Sequence, residues 1–155
     1  MLIKIIAVGT KMPKWVCEGY AEYADRMPPD YQLKLIEIPS LKRTKNSNLT
    51  EIMELESNKL LDAAHSDDYI IALDRLGKEI SSQDLAKHLS QSKLESLKIS
   101  FLIGGPEGLS ESSLKKARSI FSLSKLTLPH PLVRVLLAEQ LYRAISILNN
   151  HPYHR

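Results

Sequence analysis

Four short apolar runs, Leu2 to Val8, Gln32 to Ile38, Tyr69 to Leu73 and Ile99 to Ile103, are separated by stretches with apolar residues at helical spacing and polar faces. This alternation predicts βαβ units, and runs apolar on both faces predict a parallel sheet with helices covering each side, an α/β fold. Lys14 to Met27 reads as a helix stopped by Pro28 and Pro29. Asn48 to Ala64 reads as a second, with Asn48 as N-cap and Glu51 completing a capping box, and a third runs from Ser81 or Ser82 through Leu94. Leu123 to Leu128 alternates without helical spacing and is compatible with a short strand.

The strongest element is a final helix from Pro131 to about Asn149, because proline at the first helical position has a preset φ and no N–H to leave unpaired. At about 100° per residue, Val133, Val135, Leu137, Ala138, Leu141, Tyr142, Ala144, Ile145 and Leu148 cover an arc of roughly 200°, about twice the stripe of a surface helix. Leu132, Leu136 and Ile147 intrude on the polar side. Large side chains left in water forfeit roughly 1.5–3 kcal/mol each, so a second covering surface is expected, and a symmetric homodimer through this helix is the commonest supplier. Arg134 lies inside the arc, where an unpaired guanidinium is expensive; it needs a specific acidic partner, binds substrate, or snorkels out to solvent from the first turn. Glu139 and Arg143 are spaced as an ordinary helical ion pair.

At 155 residues and 43% apolar composition the chain fits one domain, residues 1–155, with a genuine core. Lys and Arg number 21 against 18 Asp and Glu, and a net charge of +3 favours an anionic partner only mildly. The single cysteine, Cys17, excludes an intramolecular disulfide and fits a reducing compartment; it reads as a small buried residue of the first helix. Met1 to Val8 contains Lys4 and meets Gly9 far short of the ~18 residues of a membrane span, so a soluble cytoplasmic protein is expected, away from membranes. The histidines at 65, 88, 130, 151 and 154 lack cysteine or carboxylate partners at ligand spacing, so no metal is expected. No serine sits on a glycine elbow.

Candidate chemistry concentrates in the last third. Phe101-Leu102-Ile103 runs into Gly104-Gly105, a strand ending in a loop that lets backbone approach a ligand at the carboxyl edge of a parallel sheet. It is neither a dinucleotide fingerprint nor a phosphate loop. Pro129 and Pro131 bracket His130 and fix the backbone before the final helix, where His130 reads as a residue leading into the helix rather than a general base. The terminus Asn150-His151-Pro152-Tyr153-His154-Arg155 carries an aromatic ring, two imidazoles and a guanidinium, groups that stack on a base or pair with phosphate and carbonyl oxygens. Lys42 to Asn48 is polar and basic without apolar anchors and reads as a mobile surface loop.

Four ordered motifs, FLIGGPEGL at Phe101 to Leu109, LSKLTLPHP at Leu123 to Pro131, RVLLAEQLYRA at Arg134 to Ala144 and HPYHR at His151 to Arg155, carry a family resemblance, and Ala7 to Lys11 fits it too. Over its whole length the chain resembles the bacterial family that methylates N3 of a pseudouridine in large-subunit ribosomal RNA. The resemblance implies a SPOUT-type α/β fold with a deep C-terminal trefoil knot, a homodimer, and S-adenosylmethionine as cofactor. By position it implies cofactor contacts at Leu73, Gly104, Gly105, Leu123, Ser124, Lys125, Leu126, Thr127 and Leu128. Removal of the imide proton calls for an acceptor, so His154 or water is expected to take it, Arg155 to stabilise the anion and Tyr153 to pack on the base, the tail completing a partner's pocket. Lys11, Lys14, Lys42, Arg43, Lys45 and Arg134 are candidate contacts to 23S rRNA, in an assembled large subunit or ribosome because so small a chain has no room for a separate RNA-binding domain. Pro106 and Glu107 are given no role. The competing readings are a non-catalytic ribosome-binding factor, which has no reason to keep a cofactor pocket, and a methyltransferase of the same class acting on another RNA.

Overall fold

The apolar runs become parallel strands in a computed structural model that describes residues 1–155. In chain order the elements are β1 (Leu2–Val8), α1 (Lys14–Ala24), β2 (Gln32–Ile38), α2 (Leu49–Ala63), β3 (Tyr69–Glu79), α3 (Ser82–Leu94), β4 (Ile99–Ile103), α4 (Glu111–Lys116), β5 (Ser119–Ser122) and α5 (His130–Leu148). The strands form one sheet ordered β2-β1-β4-β3-β5, parallel throughout. Period-two alternation divides the side chains between two cores. Ile3, Ile5, Ala7, Ile71, Phe101 and Ile103 pack with Leu85 and Leu89 of α3 and Leu137, Leu141 and Ala144 of α5. On the other face Ile6, Val8, Ala72 and Leu102 meet Leu60 of α2 and Leu109, with Leu114 of α4 alongside. Helices therefore cover both faces, as strands apolar on both sides require.

Several boundaries differ from the sequence expectation for local physical reasons. α1 gives way to tight turns, Arg26 N to Tyr23 O and Met27 N to Ala24 O, three residues before the prolines. At α2 the Asn48 side chain accepts from Glu51 N at 3.1 Å, but the complete capping box is at α3, between Ser81 and Asp84. Cys17 is exposed, not buried: α1 turns Val16 inward and packs Gly19 against Val135, leaving Cys17 on the outer face. β3 continues to Glu79 past a bulge in which Phe121 faces both Leu73 and Lys78. Gly77 is needed there, because a Cβ would lie 2.7 Å from the Phe121 carbonyl carbon.

Segment 123–128 is not a strand. Ser122 Oγ donates to Ser124 O at 2.9 Å and Leu126 N donates to Ser124 Oγ at 2.9 Å, so serine side chains bend it into turns. The wide apolar arc of α5 is largely covered within one chain, by the sheet and by α1 and α3 on its flanks; Leu132 is the large residue left exposed. No helix is long and apolar enough to cross a membrane.

Candidate functional site

β4 and β5 end beside the bulge of β3, and the turns that follow β4 and β5, with Leu73 to Arg75 of β3, enclose a cavity of about 240 Å³ at this edge of the sheet. Leu73, Gly104, Gly105, Leu123, Ser124, Leu126, Thr127 and Leu128 all line it; Lys125 does not, its exposed side chain lying outside the lining. The same wall includes Asp74, Arg75, Glu107 and His130, which sequence reasoning did not assign to the site.

The turn after β4 is held by its backbone. Gly108 N donates to Gly105 O at 2.9 Å, and Gly108 adopts φ +87°, a left-handed conformation that favours glycine. The chain folds back so closely that a Cβ on Gly104 would lie 2.5 Å from the carbonyl carbon and oxygen of Gly108. Gly104, Gly105 and Gly108 therefore present backbone to this wall, beside the side chains of Pro106 and Glu107. His130 closes the cavity at the start of α5, and burial, with Arg134 and Arg43 nearby, lowers its pKa below the usual imidazole value.

Arg43, expected to reach RNA from a mobile loop, turns inward. It donates from Nε and Nη2 to Glu107 at 2.9 and 2.6 Å, and from Nη1 and Nη2 to Glu56 at 3.1 and 2.6 Å. Ser40 Oγ and Leu41 O accept from Nη1, so the loop is anchored through the residue expected to leave it free. Arg134 is likewise corrected as an RNA contact: it is 1% exposed, donates to Glu37 at 2.6 Å, and donates from Nη2 to Val8 O and Gly9 O at 3.0 and 2.7 Å. Of the possibilities for Arg134, the acidic partner is realised, and at 1% exposure the side chain does not snorkel to solvent.

The description "Predicted SPOUT methyltransferase" belongs to the family model that matches residues 1–154. The chain belongs to the SPOUT methyltransferase family. It is 54% identical over 155 residues, all of both chains, to "Ribosomal RNA large subunit methyltransferase H" of Coxiella burnetii (strain Dugway 5J108-111). A protein of the same name from Marinomonas sp. (strain MWYL1) is 50% identical over 155 residues, covering 100% of each chain. Another, from Legionella pneumophila (strain Paris), is 54% identical over 153 residues, 99% of this chain and 98% of the relative. The fold is similar to a crystal structure of a Neisseria gonorrhoeae protein assigned to a methylase family, with TM-score 0.54 and 16% identity over 90% of this chain and 81% of that one. That likeness is one of fold.

Membership of the SPOUT methyltransferases implies use of S-adenosylmethionine. The cavity fits such a group: apolar walls from Leu73, Leu123 and Leu128 suit an adenosine ring, and the glycine turn leaves backbone accessible. Four candidate RNA contacts, Lys11, Lys14, Lys42 and Lys45, are exposed. They lie on the loops and helix start that follow β1 and β2 at the same sheet edge, where Gly9 N donates to Ile38 O at 2.7 Å; Lys14 also faces Glu18 at 3.5 Å.

The tail is ordered, but it lies away from the cavity of its own chain. α5 ends in a Schellman turn, with Asn150 at φ 52° and His151 N donating to Ser146 O at 2.9 Å. The chain then runs back along α5. Tyr153 donates its hydroxyl to Glu139 at 3.0 Å and packs edge-on against Tyr142 at 4.8 Å between centroids, with the Arg143 guanidinium 4.8 Å from its own ring. His154 reaches Arg143 at 3.4 Å and Gln83 at 3.3 Å, and Arg155 Nε donates to Pro152 O. From His130 at the cavity to Arg143 is thirteen helical residues, about 20 Å of rise. None of Tyr153, His154 and Arg155 lines the cavity of its own chain.

Proposed function

We propose that this chain is a cytoplasmic, homodimeric methyltransferase that uses S-adenosylmethionine to methylate N3 of a pseudouridine in 23S rRNA of the assembled large subunit or ribosome. One observation carries the reading: in a SPOUT methyltransferase chain, eight of the nine positions singled out for the cofactor converge on one cavity. The shared name of relatives about half identical over the full length supports ribosomal RNA as substrate. The trefoil knot belongs to the same reading, as part of the fold that the SPOUT family implies.

Bound in the cavity, S-adenosylmethionine supplies an electrophilic methyl group. The residues of this chain have three tasks. Leu73, Gly104, Leu123, Ser124, Leu126, Thr127 and Leu128 orient the donor and exclude water. Lys11, Lys14, Lys42 and Lys45 hold RNA phosphates at the rim, through charge and shape rather than base edges. The third task is proton removal, because the imide nitrogen has no nucleophilic lone pair until its proton leaves. His154 or a water takes that proton, Arg155 stabilises the anion spread over the ring carbonyls, and Tyr153 packs on the base. Since the tail lies about 20 Å along α5 from its own cavity, it serves the site of the partner in the dimer.

A second reading of the proton acceptor rests on His130, which lines the cavity of its own chain and whose lowered pKa keeps it neutral at pH 7, able to accept a proton. Deleting Tyr153 to Arg155 separates the two. Measured as labelled methyl incorporation into ribosomes, with mass mapping of the rRNA, turnover falls by about 100-fold or more while cofactor binding persists. Undiminished turnover, a monomer with full activity, or equal methylation of free rRNA refutes the reading as stated.

A further inference from the structure

Glu107 stands at the tip of the turn between Gly105 and Gly108, and family resemblance gives it no role. It lines the cavity, and its half-buried carboxylate is held in the Arg43 fork at 2.9 and 2.6 Å. The fork is shared. The same guanidinium holds Glu56 of α2, which is 2% exposed and also accepts from Leu41 N at 2.9 Å. Three segments distant in sequence, residues 40–43, α2 and the turn 104–108, are thus joined at one planar cation. The turn lies directly on this cluster: a Cβ on Gly105 would sit 3.0 Å from Glu56 Oε1 and 3.1 Å from Arg43 Nη2. Lys42 and Lys45, on either side of Arg43, are exposed.

An ion pair with a purely structural task has no need to end on the wall of the cavity. Glycine-rich backbone is conformationally permissive, so the turn requires something outside itself to select one shape. A bidentate, doubly bridged guanidinium supplies that selection, with a geometry that a lysine cannot reproduce.

We propose that the Arg43–Glu107 pair is a positioning element of the cofactor site, holding turn 104–108 in its binding shape and linking that shape to the basic loop carrying Lys42 and Lys45. The proposal rests on the cofactor site argued above. When the pair is weakened, only a fraction of molecules hold the turn correctly, and apparent cofactor affinity falls by that fraction. Linkage makes the effect reciprocal, so an occupied cavity also steadies the loop that meets RNA.

The test is calorimetric titration of S-adenosylmethionine into the full chain as wild type, Arg43→Lys, Glu107→Gln and Glu107→Ala, with steady-state kinetics on ribosomes. Cofactor Kd and KM rise about tenfold in Arg43→Lys and Glu107→Ala and less in Glu107→Gln, while kcat at saturating cofactor stays within about twofold. Saturating cofactor slows amide exchange over residues 41–48 in wild type but not in Arg43→Lys. Variants that melt earlier yet bind cofactor with wild-type affinity overturn the proposal and leave the pair merely structural, and unchanged exchange in wild type overturns its link to the loop. Wild type that binds no cofactor overturns the functional reading itself, and this inference with it.

Discussion

Arg134→Met isolates the buried guanidinium of α5. The substitution keeps most of the length and apolar bulk of the side chain and removes every donor. Val8 O and Gly9 O then lose the Nη2 bonds of 3.0 and 2.7 Å, and each buried acceptor left without a donor costs about 1–3 kcal/mol. Glu37 loses its 2.6 Å partner, but its side chain is 37% exposed and water can replace much of that bond. Against these losses stands the relief of burying a cation whose Nε has no partner. The carbonyl terms win, for a net destabilisation of about 2–4 kcal/mol. In a chain of this size each kcal/mol lowers Tm by about 2–4 °C, so a fall of roughly 4–16 °C is expected. Urea unfolding followed by circular dichroism, at matched protein concentration, reads it as a lower midpoint with an unchanged slope. If Arg134 instead served as an RNA contact, the midpoint would stay within error while ribosome binding weakened; that result refutes the structural assignment.

Two further outcomes follow from the geometry. Gly104→Ala places a Cβ 2.5 Å from Gly108 backbone, which has no flexible end to yield, so the turn must open; calorimetry is expected to show cofactor affinity down by more than about tenfold with far-UV dichroism intact. Tyr153 is pushed up to about 12, first by burial and then by its bond to Glu139, so its phenol stays neutral in the docked tail while an undocked phenol ionises near 10. A raised folded pKa contributes stability that is present below 10 and lost as pH rises from 10 through 12; because Tyr20 is also raised to about 12, the tyrosinate absorbance difference between wild type and Tyr153→Phe is the measurement that reports tail release in that window.

What could be read from the sequence depended on the range over which each feature is determined. β1, β2 and β4 are found at their expected bounds because each is an apolar run closed by turn chemistry within a few residues. α4 and β5, at six and four residues, are too short to establish a period, and the end of β3 is polar and is a strand only because β5 pairs with it. The glycine turn of the cavity was legible because Gly104-Gly105 directly follows an apolar strand, whereas Leu73 and Leu123 to Leu128 were placed by the family resemblance, since they come together only where β3 bulges against β5. The two arginines assigned to RNA were misread because their partners lie far along the chain, Glu107 by 64 residues from Arg43 and Glu37 by 97 from Arg134. Their inward turn nevertheless has a chemical logic. A guanidinium is weakly hydrated and presents five donors in one plane, so it can satisfy carboxylates and carbonyls from several segments at once, whereas an ammonium is strongly hydrated and remains in water on a flexible stem. Lys11, Lys14, Lys42 and Lys45 are exposed at the sheet edge while Arg43 and Arg134 join the elements beneath. Among these six residues, the division between lysine and arginine separates positive charge available to a polyanion from positive charge that holds the fold and the site together.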